Sequence, residues 1–322
     1  PHNGYFSPYT IPHFEDGPEG EYLTDRLTDE AIRLLTSRDP SRPFFLNFWH
    51  YAVHTPIQAP AEIVEKYVAK AAALGIDQST ALEEGEAFPT EHKAHQRVTR
   101  RRFQSDPVYA AMVENLDWNI GRLLAAVDAA GIGDNTIIIF TSDNGGLATA
   151  EGSPTCNAPL AEGKGWMYEG GTREPLLVKW PGVTMAGCRC AVPVTSPDFL
   201  PTLLEMAQVP SPTGMPLQGV SLAPLLSGEN GLAREAIFWH YPHYGNQGGT
   251  PGSSVRAGDY KLIEFFEDGR LELYDLRNDL AEEHNLVHKE GALTERLHQM
   301  LQDWRVSVEA QIPQPNPTYQ PL

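Results

Sequence analysis

Apolar residues recur every three or four positions in several stretches of the chain, which is the spacing of one helix face. Residues 21–35 and 61–74 show this pattern, and so does the stretch after the aspartate–proline pair at 106–107. An aspartate before a proline at the first helical position is a strong helix start, and Gly131 provides the corresponding stop. A Ser-Pro-Asp sequence at 196–198 repeats the start signal. The pattern therefore predicts four helices in the first two-thirds of the chain.

Short apolar runs between these helices have the length of β-strands. They are "FFLNFW" at 44–49, "TIIIF" at 136–140 and "LLVKW" at 176–180. A run of β-branched residues without polar alternation is typical of a strand in a parallel sheet that is covered on both faces. Helices that alternate with such strands predict an α/β fold, with a layered, mostly parallel sheet flanked by helices.

The pattern changes after Gly231. Three strand-like runs follow one another without intervening helices, at 235–241, 253–266 and 270–276, and a final helix covers about 292–308. Consecutive strands joined by short turns predict a small antiparallel sheet, here with one helix. The predicted domains are an α/β domain at 1–232 and a carboxyl-terminal α+β subdomain at 233–322.

Charge and composition narrow the possible partners. The formal net charge of −18 argues against nucleic acid, because phosphate backbones are bound by basic surfaces. No apolar run approaches the roughly 18 to 20 residues that a membrane-spanning helix needs, so no membrane partner is expected. The three cysteines lack CxxC spacing and indicate neither a zinc site nor a disulfide framework.

Polar residues that could carry chemistry follow the predicted strands. Asp143 and Asn144 come directly after "TIIIFTS", and their side-chain oxygens are the hard ligands that Ca²⁺ or Mg²⁺ prefers. The same residues are also typical of an ordinary turn. His54 follows the run at 44–49, and a histidine there can protonate a leaving group or bind an anion. Lys164 stands between two glycines, which let a compact positive charge approach an anion closely.

Taken together, "FTSDNGG", "GKGWMYEGGTREP" and "FFLNFWHYAVHTP" resemble the sulfatase family of the alkaline phosphatase superfamily. The resemblance covers essentially the whole chain and implies an alkaline phosphatase-like fold. It implies Ca²⁺ as cofactor, with Asp143 and Asn144 among its ligands. Lys164 and His54 would bind the sulfate group and assist departure of the alcohol. The implied partner is a sulfated sugar or an aryl sulfate ester.

Two further regions bear on the choice of substrate. Residues 238–269 resemble the carboxyl-terminal segment of sulfatases that act on sulfated sugars, which implies that His240, His243 and Arg256 line a sugar pocket. Ordinary loop histidines and a surface arginine explain these residues equally well. The patch at Arg100–Arg102 could meet a polyanionic glycan, although a solvated helix face is the commoner role of such a run. Glu169 and Arg173 are expected to pair with each other.

The chain departs from the family pattern in one respect. Sulfatases use a formylglycine made from a C/S-x-P-x-R motif and a pair of aspartate ligands near their amino terminus, and neither is present. We therefore expect a sulfatase fold that is incomplete at its amino end, holds Ca²⁺ weakly and is inactive alone. The family's polysaccharide substrates and calcium use imply a periplasmic or secreted location.

Two alternatives share the same scaffold. One is a phosphoryl-transfer relative, such as a phosphonate monoester hydrolase or phosphodiesterase, which uses bound metal ions in the same way. The other is a catalytically incomplete binding protein that keeps the sulfatase fold without its nucleophile.

Overall fold

The computed structural model describes residues 4–318, which form two compact units. Among these residues, the first unit consists of 4–83, 101–136 and 151–156, and the second of 84–100, 137–150 and 157–318. The predicted boundary at 232/233 lies within the second unit, and the division into an α/β domain and a carboxyl-terminal subdomain stays a prediction.

The described residues form seven α-helices and eight β-strands. The helices are α1 (Leu23–Thr36), α2 (Ala61–Ala73), α3 (Pro107–Ala129), α4 (Glu169–Thr172), α5 (Phe199–Met206), α6 (Ala223–Leu226) and α7 (Gly291–Ser307). The strands are β1 (Leu82–Ala87), β2 (Arg97–Arg101), β3 (Ile138–Thr141), β4 (Leu176–Lys179), β5 (Ile237–Tyr241), β6 (Gly252–Ala257), β7 (Tyr260–Phe265) and β8 (Leu271–Asp275). Among the described residues, no helix is both long and apolar enough to cross a membrane.

Helix α3 forms as the sequence predicts. The Asp106 side chain accepts hydrogen bonds from the backbone N–H groups of Val108 and Tyr109, at 2.9 and 3.0 Å, and so satisfies two donors that would otherwise lack partners. The helix ends before Gly131, which takes a positive φ of 70°. Helices α1, α2 and α3 belong to the first unit, whose core contains buried aromatic and aliphatic side chains. These are Tyr5, Tyr9, Tyr22, Leu23 and Met112.

Strands β3 and β4 confirm two of the predicted strands, but their pairing differs from the expectation. They run antiparallel, with Phe140 opposite Leu177, and β3 has this one neighbour among the described strands. Phe140 remains 38% exposed and Leu177 59% exposed. The parallel neighbours expected for a doubly covered strand are therefore not supplied by the described residues.

The predicted strand at 44–49 is wrong. This segment has no regular secondary structure, and Phe45 and Trp49 are 76% and 78% exposed. A strand requires a partner that satisfies its backbone N–H and C=O groups, and no described strand pairs with this segment. Its apolar composition alone did not determine its backbone conformation.

The carboxyl-terminal sheet has the predicted architecture. Strands β5, β6, β7 and β8 lie in sequence order and pair antiparallel, and β6 joins β7 through a turn at Gly258, which has a φ of 60°. Helix α7 covers one face of this sheet. The buried side chains at that contact are Val255, Leu262, Leu273, Leu297 and Leu301.

Candidate functional site

The turn after β3 carries two of the predicted site residues, Asp143 and Asn144. It is held in place at the next residue, because Gly145 donates its backbone N–H to the carbonyl of Gly171 at 3.3 Å. A Cβ at position 145 would lie 1.7 Å from the carbonyl oxygen of Gly170. Only glycine permits this approach, so the glycine after Asn144 is required for packing.

The loop that carries Lys164 lies against the same turn. The backbone N–H of Lys164 donates to the carbonyl of Gly146 at 3.2 Å, and a Cβ at Gly163 would be 2.3 Å from that oxygen. The side chain of Asn157 donates to the carbonyls of Gly146 and Glu162, at 2.8 and 2.9 Å. The structure therefore brings the Asp143–Asn144 turn and Lys164 together through backbone contacts within one unit.

Glu174 is an acidic residue of this region that the sequence reasoning missed. Its Oε1 atom is buried and has no hydrogen-bond partner in the described structure. Burial first, and then the negative charge of Asp143, raises the pKa of Glu174 to about 7. The antiparallel pairing explains the approach, because Thr141 at the end of β3 lies opposite Leu176 at the start of β4. Asp143 follows β3 and Glu174 precedes β4. An acidic residue at the adjoining end of each of two strands is the sequence signal that could have revealed Glu174.

This region offers oxygen ligands but not a complete metal site. Asp143 and Glu174 supply carboxylates, and Asn144 supplies a carboxamide oxygen. Within residues 4–318, no group of three or more His, Cys, Asp or Glu side chains is arranged to hold a metal ion. The calcium role of Asp143 and Asn144 therefore stays a prediction.

A buried ion cluster lies at the base of the Lys164 loop. Glu169 is 1% exposed, and its two carboxylate oxygens lie 3.1 Å from Lys261 Nζ and 3.2 Å from Arg256 Nη1. Lys261 also lies 3.2 Å from the carboxylate of Glu282, which accepts a hydrogen bond from the backbone N–H of Glu169 at 2.6 Å.

The expected pair between Glu169 and Arg173 forms at 3.7 Å. Arg256 thus contacts the loop rather than open solvent, and its role toward a sugar stays a prediction.

The arginine patch at 100–102 is not on a helix, so that prediction is wrong. Its first two residues belong to β2, because the backbone pairs with β1. Arg100 forms hydrogen bonds of 2.8 to 2.9 Å with the carboxylate of Glu162, just before Lys164, and its guanidinium lies 5.5 Å from the ring centre of Trp166. The other ion pairs of the patch are Arg100–Glu86 at 2.8 Å, Arg101–Asp106 at 3.7 Å and Arg102–Glu83 at 3.4 Å.

His54 belongs to the first unit, and the other predicted site residues belong to the second. His54 is exposed, with Nδ1 2.9 Å from the carbonyl oxygen of Thr55, and its own carbonyl accepts the Tyr5 hydroxyl at 2.8 Å. The nearby His50 is more buried, and neither ring nitrogen has a hydrogen-bond partner among the described residues. Burial lowers the pKa of His50 to about 4, so its imidazole is neutral at pH 7.

The two histidines predicted for a sugar pocket have different surroundings. On β5, both ring nitrogens of His240 are engaged, Nδ1 with Ser253 Oγ at 2.7 Å and Nε2 with the Gln311 carbonyl at 2.9 Å. His243 is exposed and meets the ring of Tyr241 edge-on at 5.4 Å. A role of either residue in substrate binding stays a prediction, and His243 is the more accessible of the two.

Comparison with family models covers most of the chain. A model described as Sulfatase matches residues 2–209, which include the Asp143–Asn144 turn and Lys164. A second model, described as N-sulphoglucosamine sulphohydrolase, C-terminal, matches residues 162–307, which include the four-stranded sheet. The two matches overlap at the Lys164 loop.

Individual proteins give the same picture. A protein named Sulfatase from Formosa agariphila is 36% identical over 83% of this chain and 46% of its own length. The N-acetylglucosamine-6-O-sulfatase of Bacteroides thetaiotaomicron is 28% identical over 87% of this chain and 61% of its own length. The crystal structure of Ps i-CgsB in complex with k-i-k-neocarrahexaose has a TM-score of 0.70 at 27% identity, covering 91% of this chain and 56% of that one. The chain thus spans about half the length of these relatives, and the predicted α/β fold class is confirmed.

Proposed function

Since the chain belongs to the sulfatase family, we propose that it supplies the sulfate-binding part of a sulfuric ester hydrolase that acts on a sulfated carbohydrate. The carbohydrate is favoured because one relative is named as an N-acetylglucosamine-6-O-sulfatase and another was solved with a neocarrahexaose. A periplasmic or secreted location goes with this proposal, because an enzyme that acts on external sulfated polysaccharides must reach them outside the cytoplasm.

The contact between the turn and the lysine loop is the observation that carries the proposal. The hydrogen bonds Gly145–Gly171 and Lys164–Gly146 fix the Asp143–Asn144 turn and the Lys164 backbone to each other. Hydrolysis of a sulfate ester requires positive charge beside the transferring group, held in place before reaction begins. The ammonium of Lys164 would bind a sulfate oxygen, and the rigid glycine contacts would hold it there.

The oxygen ligands beside Lys164 fit a hard divalent cation, and we assign Ca²⁺ to them. Asp143, Asn144 and Glu174 offer two carboxylates and one carboxamide, and the buried Oε1 atom of Glu174 lacks a partner. Burial first, and then the negative charge of Asp143, raises the pKa of Glu174, so the two carboxylates repel each other when both are ionised. Two adjacent carboxylates therefore favour a cation. When bound, it would draw electron density from the sulfate oxygens.

Two other groups complete the proposed reaction. The exposed imidazole of His54 would donate a hydrogen bond to the sulfate or a proton to the leaving alcohol. The nucleophile would be a formylglycine, whose C/S-x-P-x-R motif is absent from this sequence. We therefore expect the 322-residue chain to bind sulfate and not to turn over sulfate esters by itself.

Calorimetric titration with sodium sulfate in the presence of CaCl₂ tests the proposal. Lys164→Ala should reduce sulfate affinity at least tenfold, because it removes the positive charge at the site. Lys179→Ala is the matched control, since it removes an equal charge from an exposed position on β4 and should have no effect. Absence of sulfate binding in the unmodified chain, with and without CaCl₂, would overturn the proposal.

Turnover can be tested by complementation. The chain mixed with an amino-terminal sulfatase fragment that carries the formylglycine motif should release sulfate from sulfated oligosaccharides. If the mixture instead cleaved phosphonate monoesters and left sulfate esters intact, the phosphoryl-transfer alternative would replace the proposal.

A further inference from the structure

The segment between β5 and β6, residues 242–251, lies directly against the Lys164 loop. A Cβ at Gly249 would be 2.0 Å from the carbonyl oxygen of Gly165, so the two backbones touch. A Cβ at Gly165 would be 2.7 Å from Oε1 of Gln247, so the Gln247 carboxamide occupies the space above that glycine. Gly165 follows Lys164 in the chain, and consecutive Cα atoms lie about 3.8 Å apart. Gln247 is therefore a close neighbour of the residue proposed to bind sulfate.

The backbone of this segment is fixed independently of the Gln247 side chain. The carbonyl oxygen of Gln247 accepts hydrogen bonds from Trp166 Nε1 at 3.0 Å and from Thr149 Oγ1 at 2.8 Å. The preceding carbonyl, that of Asn246, accepts a hydrogen bond from the Lys93 ammonium at 2.8 Å. Substitution of the Gln247 side chain leaves all three of these bonds in place.

The carboxamide of Gln247 makes no hydrogen bond within the part of the chain that the structure describes, and the residue is partly exposed. A carboxamide has both a donor and an acceptor, and so complements a hydroxyl group, which also has both. A sugar that carries a sulfate ester has hydroxyl groups next to it, whereas an aryl sulfate has none. An unpaired carboxamide beside the sulfate site therefore favours a hydroxylated substrate over an aromatic one.

From this placement we propose that Gln247 is a specificity-determining residue that recognises the hydroxyl groups of the sugar bearing the sulfate. The inference rests on the proposed sulfate-binding role of Lys164. Gln247, in the loop between β5 and β6, would add a polar contact to the sugar, beyond the contact of Lys164 with the sulfate. Because the contact involves hydroxyl groups alone, it distinguishes sugar sulfates from phenyl sulfate, which presents the same anion.

The test compares Gln247→Ala with the unmodified chain by calorimetric titration in CaCl₂. The ligands are phenyl sulfate and a panel of sulfated glucosamines and galactoses. We expect the unmodified chain to bind at least one sugar sulfate more tightly than phenyl sulfate, and the variant to lose this preference by about tenfold. Gln299→Ala, which removes an exposed carboxamide on α7, is the control and should keep the preference.

A second variant tests the proximity. Gln247→Glu keeps the size of the side chain and adds a negative charge beside the anion site, so it should weaken both ligand types. Two results would overturn the inference alone. One is an unchanged preference in Gln247→Ala, including equal losses of affinity for sugar sulfate and phenyl sulfate, and the other is a preference of the unmodified chain for phenyl sulfate. Failure of the unmodified chain to bind any sulfate ester would overturn the proposed function, and the inference with it.

Discussion

Lys261 places its buried ammonium 3.1 Å from the carboxylate of Glu169, the first residue of α4, across 92 positions of sequence. The same ammonium contacts Glu282, so Lys261 forms ion pairs with two buried carboxylates. The pair connects the carboxyl-terminal sheet to the loop that carries Lys164. We infer that this cluster holds the loop in place, and its removal is the first prediction.

Lys261→Met should lower the free energy of unfolding by about 3–5 kcal/mol, because it leaves the Glu282 carboxylate buried without its cation and removes one of the cations beside Glu169. Urea denaturation followed by circular dichroism measures the change. Lys289→Met, at an exposed position before α7, should cost less than about 0.5 kcal/mol. A loss below about 1 kcal/mol in Lys261→Met would show that the cluster is not a significant source of stability.

Gly145→Ala should disturb the proposed site through the backbone. The added Cβ would lie 1.7 Å from the Gly170 carbonyl, so the turn and the Lys164 loop must separate. We expect sulfate affinity to fall at least tenfold. Gly231→Ala, where the new Cβ has no neighbour within 4 Å, should leave binding unchanged. Equal affinities in the two variants would contradict the proposed geometry.

Glu174→Gln should weaken Ca²⁺ binding by about tenfold, because it removes one of two adjacent negative charges at the turn. Titration of the chain with CaCl₂ at pH 8, where the Glu174 carboxylate is ionised, measures the effect. Glu205→Gln removes an exposed charge on α5 and serves as the control. An unchanged Ca²⁺ affinity in Glu174→Gln would exclude Glu174 from the cation site.

His50 should make the chain less stable in mild acid. Burial lowers its pKa to about 4 in the fold, whereas an unfolded histidine titrates near 6.5. The unfolded state therefore takes up the proton first, and stability that is present above pH 6.5 is lost as the pH falls toward 4. The loss between pH 7 and pH 5 is about 2 kcal/mol.

Substitution of His50 by phenylalanine should remove that part of the pH dependence. Urea denaturation of both proteins at pH 7 and pH 5, with EDTA present, gives the comparison. His288→Phe, at an exposed position, should keep the pH dependence of the unmodified chain. If the two histidine variants respond alike, the buried imidazole is not the cause.

Local chemistry along the chain determined much of this protein. The capping carboxylate of Asp106 fixed the start of α3, and the alternation of strands and turns after Gly231 fixed the carboxyl-terminal sheet. The Asp143–Asn144 turn and the glycines around Lys164 were also recognisable, because the residues that define a turn are neighbours in sequence. These features depend on contacts within a few residues, which a sequence displays directly.

Only the tertiary structure decided the contacts between distant segments. The apolar run at 44–49 has strand composition but no described partner, and β3 pairs antiparallel with β4. Arg256 joins a buried ion cluster, and Gln247 lies over Gly165. Strand pairing and ion pairing both require a complementary group elsewhere in the chain. The identity of that group depends on how the chain folds back, which local sequence patterns do not specify.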